Sequence, residues 1–324
     1  MMRILADRRG VVLLLVLATV ALFTAMVITF SADQGLDIEL AYNFRDSVQA
    51  QHIARAGVEA ARAILKSDDP SYDADDEEWG SFSEYALAAS AYLEGPAFGG
   101  TLADECGKID LNSLVTEGEQ VYREAQFKYL FELLEIDITS EELDELAKSL
   151  KDWLDADDQP EFGGAESDYY RSLDPPYICK NGPLDAPEEI LLVKGMKPEY
   201  YYGTENYHGI RDYVTVGTGG KININTAPSV VLMSMSRTYM TEDVAESIED
   251  GRPFLNEQDI GRIQGLDLSD PSDEMAWIKK NLDVKSSMFS ADVNGHMPSG
   301  ARINVRAVLQ RFQSDVRIVY YKIY

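Results

Sequence analysis

Residues Val11 to Phe30 read VVLLLVLATVALFTAMVITF, twenty uncharged residues directly behind Arg8-Arg9-Gly10. Wound as a helix, such a run spans about 30 Å, the thickness of a bilayer's hydrocarbon core. Arg3, Arg8 and Arg9 precede it, which predicts a cytoplasmic N-terminus and a translocated C-terminal bulk. A secretory signal peptide would carry an apolar region of roughly 7–15 residues ending at a small-x-small cleavage site. Here the run is longer, and Ser31-Ala32 falls inside a continuing helical pattern. On this segment alone an ordinary signal anchor stays open.

No Gly or Pro interrupts the apolar run, and helical spacing resumes beyond it. Ala50, Ile53, Ala54, Gly57, Val58, Ala61, Ile64 and Leu65 fall on one stripe, the mark of a helix face laid on a core. The helix is therefore expected to reach about Lys66, its first half in a membrane and its second half on a folded head. His52 lies off the stripe with no metal-type partner nearby and reads as a solvated helix residue.

The charge balance narrows the partners. With 29 basic and 56 acidic residues the chain carries a net charge of −27, which opposes attraction to phosphate backbones and argues against nucleic acid or anionic lipid as ligands of the soluble part. Cys106 and Cys179 are the two cysteines. In an oxidising compartment they could pair, yet a separation of 73 positions proves nothing. No Gly-x-Ser-x-Gly, His-Glu-x-x-His or P-loop occurs. The three histidines (His52, His208, His296) are scattered. The chain therefore reads as a non-enzyme, with no catalytic residue to name.

Along the rest of the chain, residues 67 to 79 (SDDPSYDADDEEW) hold seven carboxylates and read as a solvated loop. Lys108–Leu114, Lys221–Ala227 and Arg302–Arg306 echo one another as half-buried strand patterns, expected to be three similar strands of one sheet. The first two end at Asn-Ser and Asn-Thr, suited to cap a following helix. Helical spacing marks Ala125–Leu134 and Glu141–Trp153, with Ser140 as the cap of the latter, and a short Pro187–Lys194 segment. Met288–Val293, Ala301–Arg311 and Val316–Tyr324 read as an antiparallel C-terminal meander. After Thr226, three or four short helices resemble helix-hairpin-helix and SAM-like bundles, opened by ININTAPSVVL. The hairpin of DNA-binding versions would need Gly-x-Gly to grip a phosphate. SMSRTYMTED stands there without glycine and with two acids, so this reads as a protein-contact module.

The densest chemistry is DWLDADDQPEFGGAESDYY, residues 152 to 170. Asp152, Asp155, Asp157, Asp158, Glu161, Glu166 and Asp168 crowd past a helix end, with Pro160, Gly163 and Gly164 to turn the chain. Oxygen-rich ligands on a flexible turn suit Ca²⁺. Asp155-x-Asp157 has the spacing of the first EF-hand ligands, but the loop glycine and terminal glutamate are misplaced. Composition alone favours a solvated acidic turn.

A short polar leader ending in Gly10 against Val11 resembles the prepilin-peptidase site of type IV pilins and type II secretion pseudopilins. That resemblance implies cleavage between Gly10 and Val11 and methylation of Val11. Most pilin-like proteins carry glutamate at the fifth mature position, where this chain has Leu15. The loss of that carboxylate resembles the K-type minor pseudopilin. RRGVVLLLVL, DECGKIDLNSL, the 152–170 segment, PLDAPEEILLVKGMKPEYYYG, ININTAPSVVL and the C-terminal strands together resemble the type II secretion system protein K family. The resemblance implies an α+β, pilin-like fold with a long N-terminal transmembrane helix, an antiparallel sheet head and a large inserted helical domain.

It divides the chain into a leader (1–10), an N-terminal helix (11–66, transmembrane over 11–30), a first part of the head (67–114), an inserted helical domain (115–211), a strand with SAM-like helices (212–283) and C-terminal strands (284–324). It also implies bound calcium, with Asp155, Asp157, Asp158 and Glu166 the favoured ligands. The implied partners are I-type and J-type minor pseudopilins, the major pseudopilin, the inner-membrane assembly platform and prepilin peptidase, in a complex at the tip of a periplasmic filament. A minor pilin of a type IV pilus or competence system, and a single-pass anchored periplasmic binding protein, are the alternatives.

Overall fold

A computed structural model describes residues 8–92, 95, 97–312 and 315–324. Met1–Asp7 of the expected leader, Arg3 included, lie outside the described residues, as do the side chains of Arg8 and Arg9. Helix α1 (Arg8–Ser67) is one unbroken element of 60 residues. Among the described residues it is the one helix long and apolar enough to cross a membrane. Its apolar half is exposed among the described residues, with Leu15 62% so. From Ala50 onward the expected stripe is buried, with Ala50, Ala54, Val58 and Ala61 fully so and Ile53 and Ile64 half-buried.

That stripe lies on a four-stranded antiparallel sheet. Its strands are β1 (Ala97–Asp104), β6 (Met288–His296), β7 (Arg302–Phe312) and β8 (Asp315–Ile323), in the order β1-β6-β7-β8. The small side chains of α1 let backbone meet backbone. A Cβ on Gly295 of β6 would stand 2.0 Å from the Ala50 carbonyl oxygen and 2.6 Å from the Ala54 nitrogen. Leu65, Trp79, Phe82, Phe289, Val305 and Leu309 join this core, and α2 (Phe82–Tyr92) covers its flank beside β1. The C-terminal meander is as the sequence indicates, apart from the 313–314 turn, which lies outside the described residues. Strand β1 is an element that the sequence reading lacks.

Between β1 and β6 the chain leaves the sheet and builds a second, mostly helical lobe. It contains β2 (Ile109–Asp110), α3 (Gln120–Leu133), α4 (Ser140–Leu154), α5 (Ser167–Arg171), α6 (Pro198–Tyr202), β3 (Val214–Thr215), β4 (Ile222–Asn223), α7 (Ser229–Ser234), α8 (Glu242–Gly251), α9 (Asp273–Asn281) and β5 (Leu282–Asp283). A single apolar core runs through it from Ile109 to Val284, taking in Leu111, Phe127, Leu150, Ile222, Ile248 and Ile278. The expected seam between 211 and 212 therefore marks no break in packing.

Four local expectations are corrected. The three echoed segments do not share a sheet: β2 pairs with β3, β4 pairs with β5, and only the third lies in the main sheet, as β7. The first two turn away after two residues, too soon to join a wide sheet. Their Asn-Ser and Asn-Thr ends do not cap. Asp110 caps the first turn, while Asn225 holds the Phe254 backbone and Thr226 bonds Asp104. Helix α4 is capped by Thr139 rather than Ser140, in a reciprocal box with Glu142.

The fourth correction concerns 67–79, which is not solvated throughout. Asp73, Ala74 and Trp79 are buried. The Asp73 carboxylate accepts from Arg311 of β7 at 2.6 Å and from the Ser286 amide at 2.7 Å. Beside it Asp104 accepts from the Ser286 hydroxyl (2.5 Å), the Thr226 hydroxyl (2.6 Å) and the Asn223 amide (2.9 Å). Asn223 also donates to the Asp73 carbonyl at 3.0 Å. This densely hydrogen-bonded polar seam welds the helical lobe to the head.

Candidate functional site

Helix α4 buries Leu146, Leu150 and Trp153 on one side and ends at Leu154. Asp152, in its last turn, is completely buried. Its two oxygens accept from the Glu161 amide (3.1 Å) and the Ala165 amide (2.7 Å), which draws residues 155–165 into a closed loop. Gly164 is required for this, since a Cβ there would stand 2.0 Å from an Asp152 oxygen. Lys194 clips the far side, donating to the Gly163 carbonyl at 2.8 Å. Underneath, Trp153 meets Tyr170 edge-on at 5.0 Å and donates to Glu189 at 3.2 Å.

Carboxylate oxygens of Asp155, Asp157 and Glu166 converge inside this loop, all within 4.8 Å of one another. Glu166 is buried, and neither of its oxygens has a hydrogen-bond partner. Its polar neighbours are the Cys179 thiol and the carboxylates of Asp152, Asp155 and Asp158. Burial, reinforced by those like charges, pushes the Glu166 carboxyl up to about 7. Burial likewise raises Asp155 and Asp152. Three carboxylates, one of them orphaned, with no cation among them, make a donor set that fits a hard, oxygen-preferring cation such as Ca²⁺.

A second acidic group provides the contrast. Asp68, Asp73 and Glu77 also converge, but Arg311 bonds Asp68 at 2.7 Å and Asp73 at 2.6 Å. A guanidinium thus bridges two of its three carboxylates, and the third, Glu77, accepts from the Ala74 amide and the Trp79 indole.

Of the four favoured ligands the fold brings three together. Asp158 stays beside Glu166 but outside the group of three convergent oxygens, and accepts, at 3.4 Å, from the Ser167 amide at the start of α5. The loop's organiser, Asp152, was visible only as one more acid. The signal for it was its place in the last helical turn, ahead of Gly163-Gly164. The cysteines do not meet, so the possible disulfide is corrected. Both are free thiols: Cys106 lies beside Ser287 (3.9 Å), and Cys179 lies against the Asp152 carbonyl (3.6 Å). They sit on different parts of the lobe, each pushed up to about 12 by burial. Gly10 and Val11 lie exposed at the start of α1.

The comparisons with known proteins agree with one another. A family model described as "Type II secretion system (T2SS), protein K" matches residues 107–214, the stretch that holds the acidic loop. The chain is 28% identical over 225 residues to a putative type II secretion system protein K of Escherichia coli K12, covering 68% of this chain and 65% of that one. It is 26% identical over 204 residues to that of Klebsiella pneumoniae, covering 60% of each. It is 27% identical over 256 residues to that of Pseudomonas aeruginosa, covering 76% and 72%. The match thus spans less than two thirds of the first two relatives. In fold it resembles a chain from the crystal structure of the GspK-GspI-GspJ complex of enterotoxigenic E. coli. The TM-score is 0.69 at 18% identity, covering 88% of this chain and 99% of that one. Domain, relatives and fold lead to one conclusion: the chain is similar to the type II secretion system protein K family, over its middle third by the family model and over most of its length by fold.

Proposed function

We propose that this chain is a minor pseudopilin of a type II secretion system, a structural subunit of protein export rather than an enzyme. The observation that carries the reading is one 60-residue helix, bare along its apolar half and packed along its other end on a head with the fold of a protein K relative. Val11–Phe30 anchors the chain once in the inner membrane, with the bulk in the periplasm. Prepilin peptidase removes Met1–Gly10, and Val11 becomes the methylated first residue. The chain then joins I-type and J-type minor pseudopilins at the tip of the pseudopilus, above the major pseudopilin and the assembly platform. Leu15 supports a terminal place, because it offers no carboxylate to a neighbour's N-terminal amine in the membrane, where an unpaired charge is expensive.

A calcium ion belongs to this proposal as a resident of the loop after α4. Asp155, Asp157 and Glu166 would hold it, and its charge would balance theirs. Asp152 and Lys194 fix the backbone that carries them.

The test is intact-mass and N-terminal analysis of the membrane-expressed protein, with and without its prepilin peptidase. Peptidase-dependent loss of ten residues, leaving methylated Val11, is the expected result. Retention of Met1, or cleavage beyond Phe30, sinks the pseudopilin reading and leaves an anchored or secreted acidic protein.

A further inference from the structure

The face of the sheet turned away from α1 is only partly covered. Val308 and Arg306 of β7 stand opposite Tyr320 and Lys322 of β8, and these side chains floor a cleft of about 560 Å³. The helical lobe roofs it with two strands of loop, Leu184–Glu188 and Thr215–Gly217. Both are held by side chains of the β2 turn. Asn112 exchanges hydrogen bonds with the Leu184 backbone (2.7 and 3.1 Å), and Asp110 accepts from the Gly217 amide at 3.1 Å. The cleft is therefore built before any ligand arrives.

Its outer lip is β8, the last strand in the order β1-β6-β7-β8, and so an edge with backbone groups that pair with no strand among the described residues. Unpaired edges are templates for an added strand. The outward part of β8 keeps apolar surface in water: Val319 is 50% exposed and Ile323 43%. One end of the cleft is apolar, with Met288, Val308 and Val319. The other end carries Arg211 and Lys322. In a chain of net charge −27, neither of these two has a carboxylate within 4.0 Å among the described residues. The nearby acids are mostly engaged: Glu105 by Lys108 at 2.9 Å, and Asp185 by Lys180 at 2.8 Å. Glu188 and Asp292 face Arg306.

We infer that the cleft and the β8 edge together form a docking site for an extended peptide segment of a partner protein, added as a fifth strand. Its side chains alternate an apolar residue, seated at the Met288–Val308 end, with an acidic residue two positions on, facing Lys322 and Arg211. Alternation follows from the strand itself, since residues i and i+2 share a face. Backbone pairing supplies affinity, and the two ends of the cleft supply choice. The site needs only the sheet edge and the roof, so it stands or falls apart from the secretion reading.

The probe is a fluorescein-labelled hexapeptide, Thr-Val-Thr-Glu-Thr-Val, against its Glu-to-Lys counterpart, titrated by anisotropy into the full chain in lipid nanodiscs. Binding of the Glu peptide at least about tenfold tighter is expected, because like charges across an interface are penalised. Lys322→Glu should abolish that preference. Lys322→Gln, at an exposed position that tolerates it, should weaken it without changing thermal unfolding. Hydrogen exchange should show Val319–Ile323 protected by the Glu peptide. Equal binding of both peptides, binding of neither, or unprotected β8 amides overturns the inference. So does concentration-dependent self-association that protects β8 without peptide, which would assign the edge to a second copy.

Discussion

Glu166 is a carboxylate placed where water cannot reach it and given nothing to bond, a state that costs free energy unless a cation answers it. Glu166→Gln should therefore melt at or above the parent protein in chelator, since the variant buries no charge. Calcium at a hundredfold excess over its dissociation constant should add about 2.7 kcal/mol to the parent, and much less to the variant. Calorimetry with and without chelator checks this, and equal calcium responses would remove the ion from the loop. At this scale the sequence was partly legible. Asp155, Asp157 and Glu166 could be picked because they flank one turn. That Asp158 lies apart from the three convergent oxygens could not be read, because its position depends on a local bond to the Ser167 amide. The thiols were equally opaque, since spacing along a chain carries no distance in space.

Among elements, periodicity was the reliable guide. Helix α1, helix α4 and the C-terminal meander each repeat their pattern over nine or more residues. Strand β1, AFGGTLAD, hides because Gly99-Gly100 breaks its alternation. Its place is set by pairing with β6, from Ala97 opposite His296 to Asp104 opposite Phe289. The contact of α1 on β6 depends on the absence of a side chain. Gly295→Ala should push the helix off the strand and cost about 2–3 kcal/mol, read by urea denaturation. A cost under about 0.5 kcal/mol would mean that α1 does not bear on the sheet at Gly295.

For the whole molecule the deciding feature is the seam of Asp73, Asp104, Asn223, Ser286 and Arg311. Nothing in the sequence pairs these residues, because Asp73 and Arg311 are 238 positions apart. An acidic, Pro-containing stretch looks the same whether it faces water or another lobe. Burial pushes the Asp73 carboxyl up to about 7, against the opposing pull of the Arg311 guanidinium. Between its ordinary value and about 7 the folded chain then holds more protons at Asp73 than the unfolded chain does. Stability contributed there falls as pH rises through that window and levels off above it. The difference between the parent protein and Asp73→Asn in urea denaturation should accordingly shrink from pH 4 to pH 7, by on the order of 1–4 kcal/mol. A difference that grows with pH would mean that Asp73 stays ionised throughout.

Helix α1 also sets a distance. The head takes hold of it near Asp46 and Ala50, so the exposed residues 31–45 form a bare stem. At about 1.5 Å per residue, that stem is roughly 22 Å long along its axis. The Debye length in physiological salt is about 8 Å. With Val11–Phe30 in a bilayer and about 5–7 Å of that stem inside the headgroup layer, the strongly acidic head stands about two screening lengths clear of the lipid headgroups. Its surface charge then acts on what approaches from solution, while the membrane beneath goes electrostatically unnoticed.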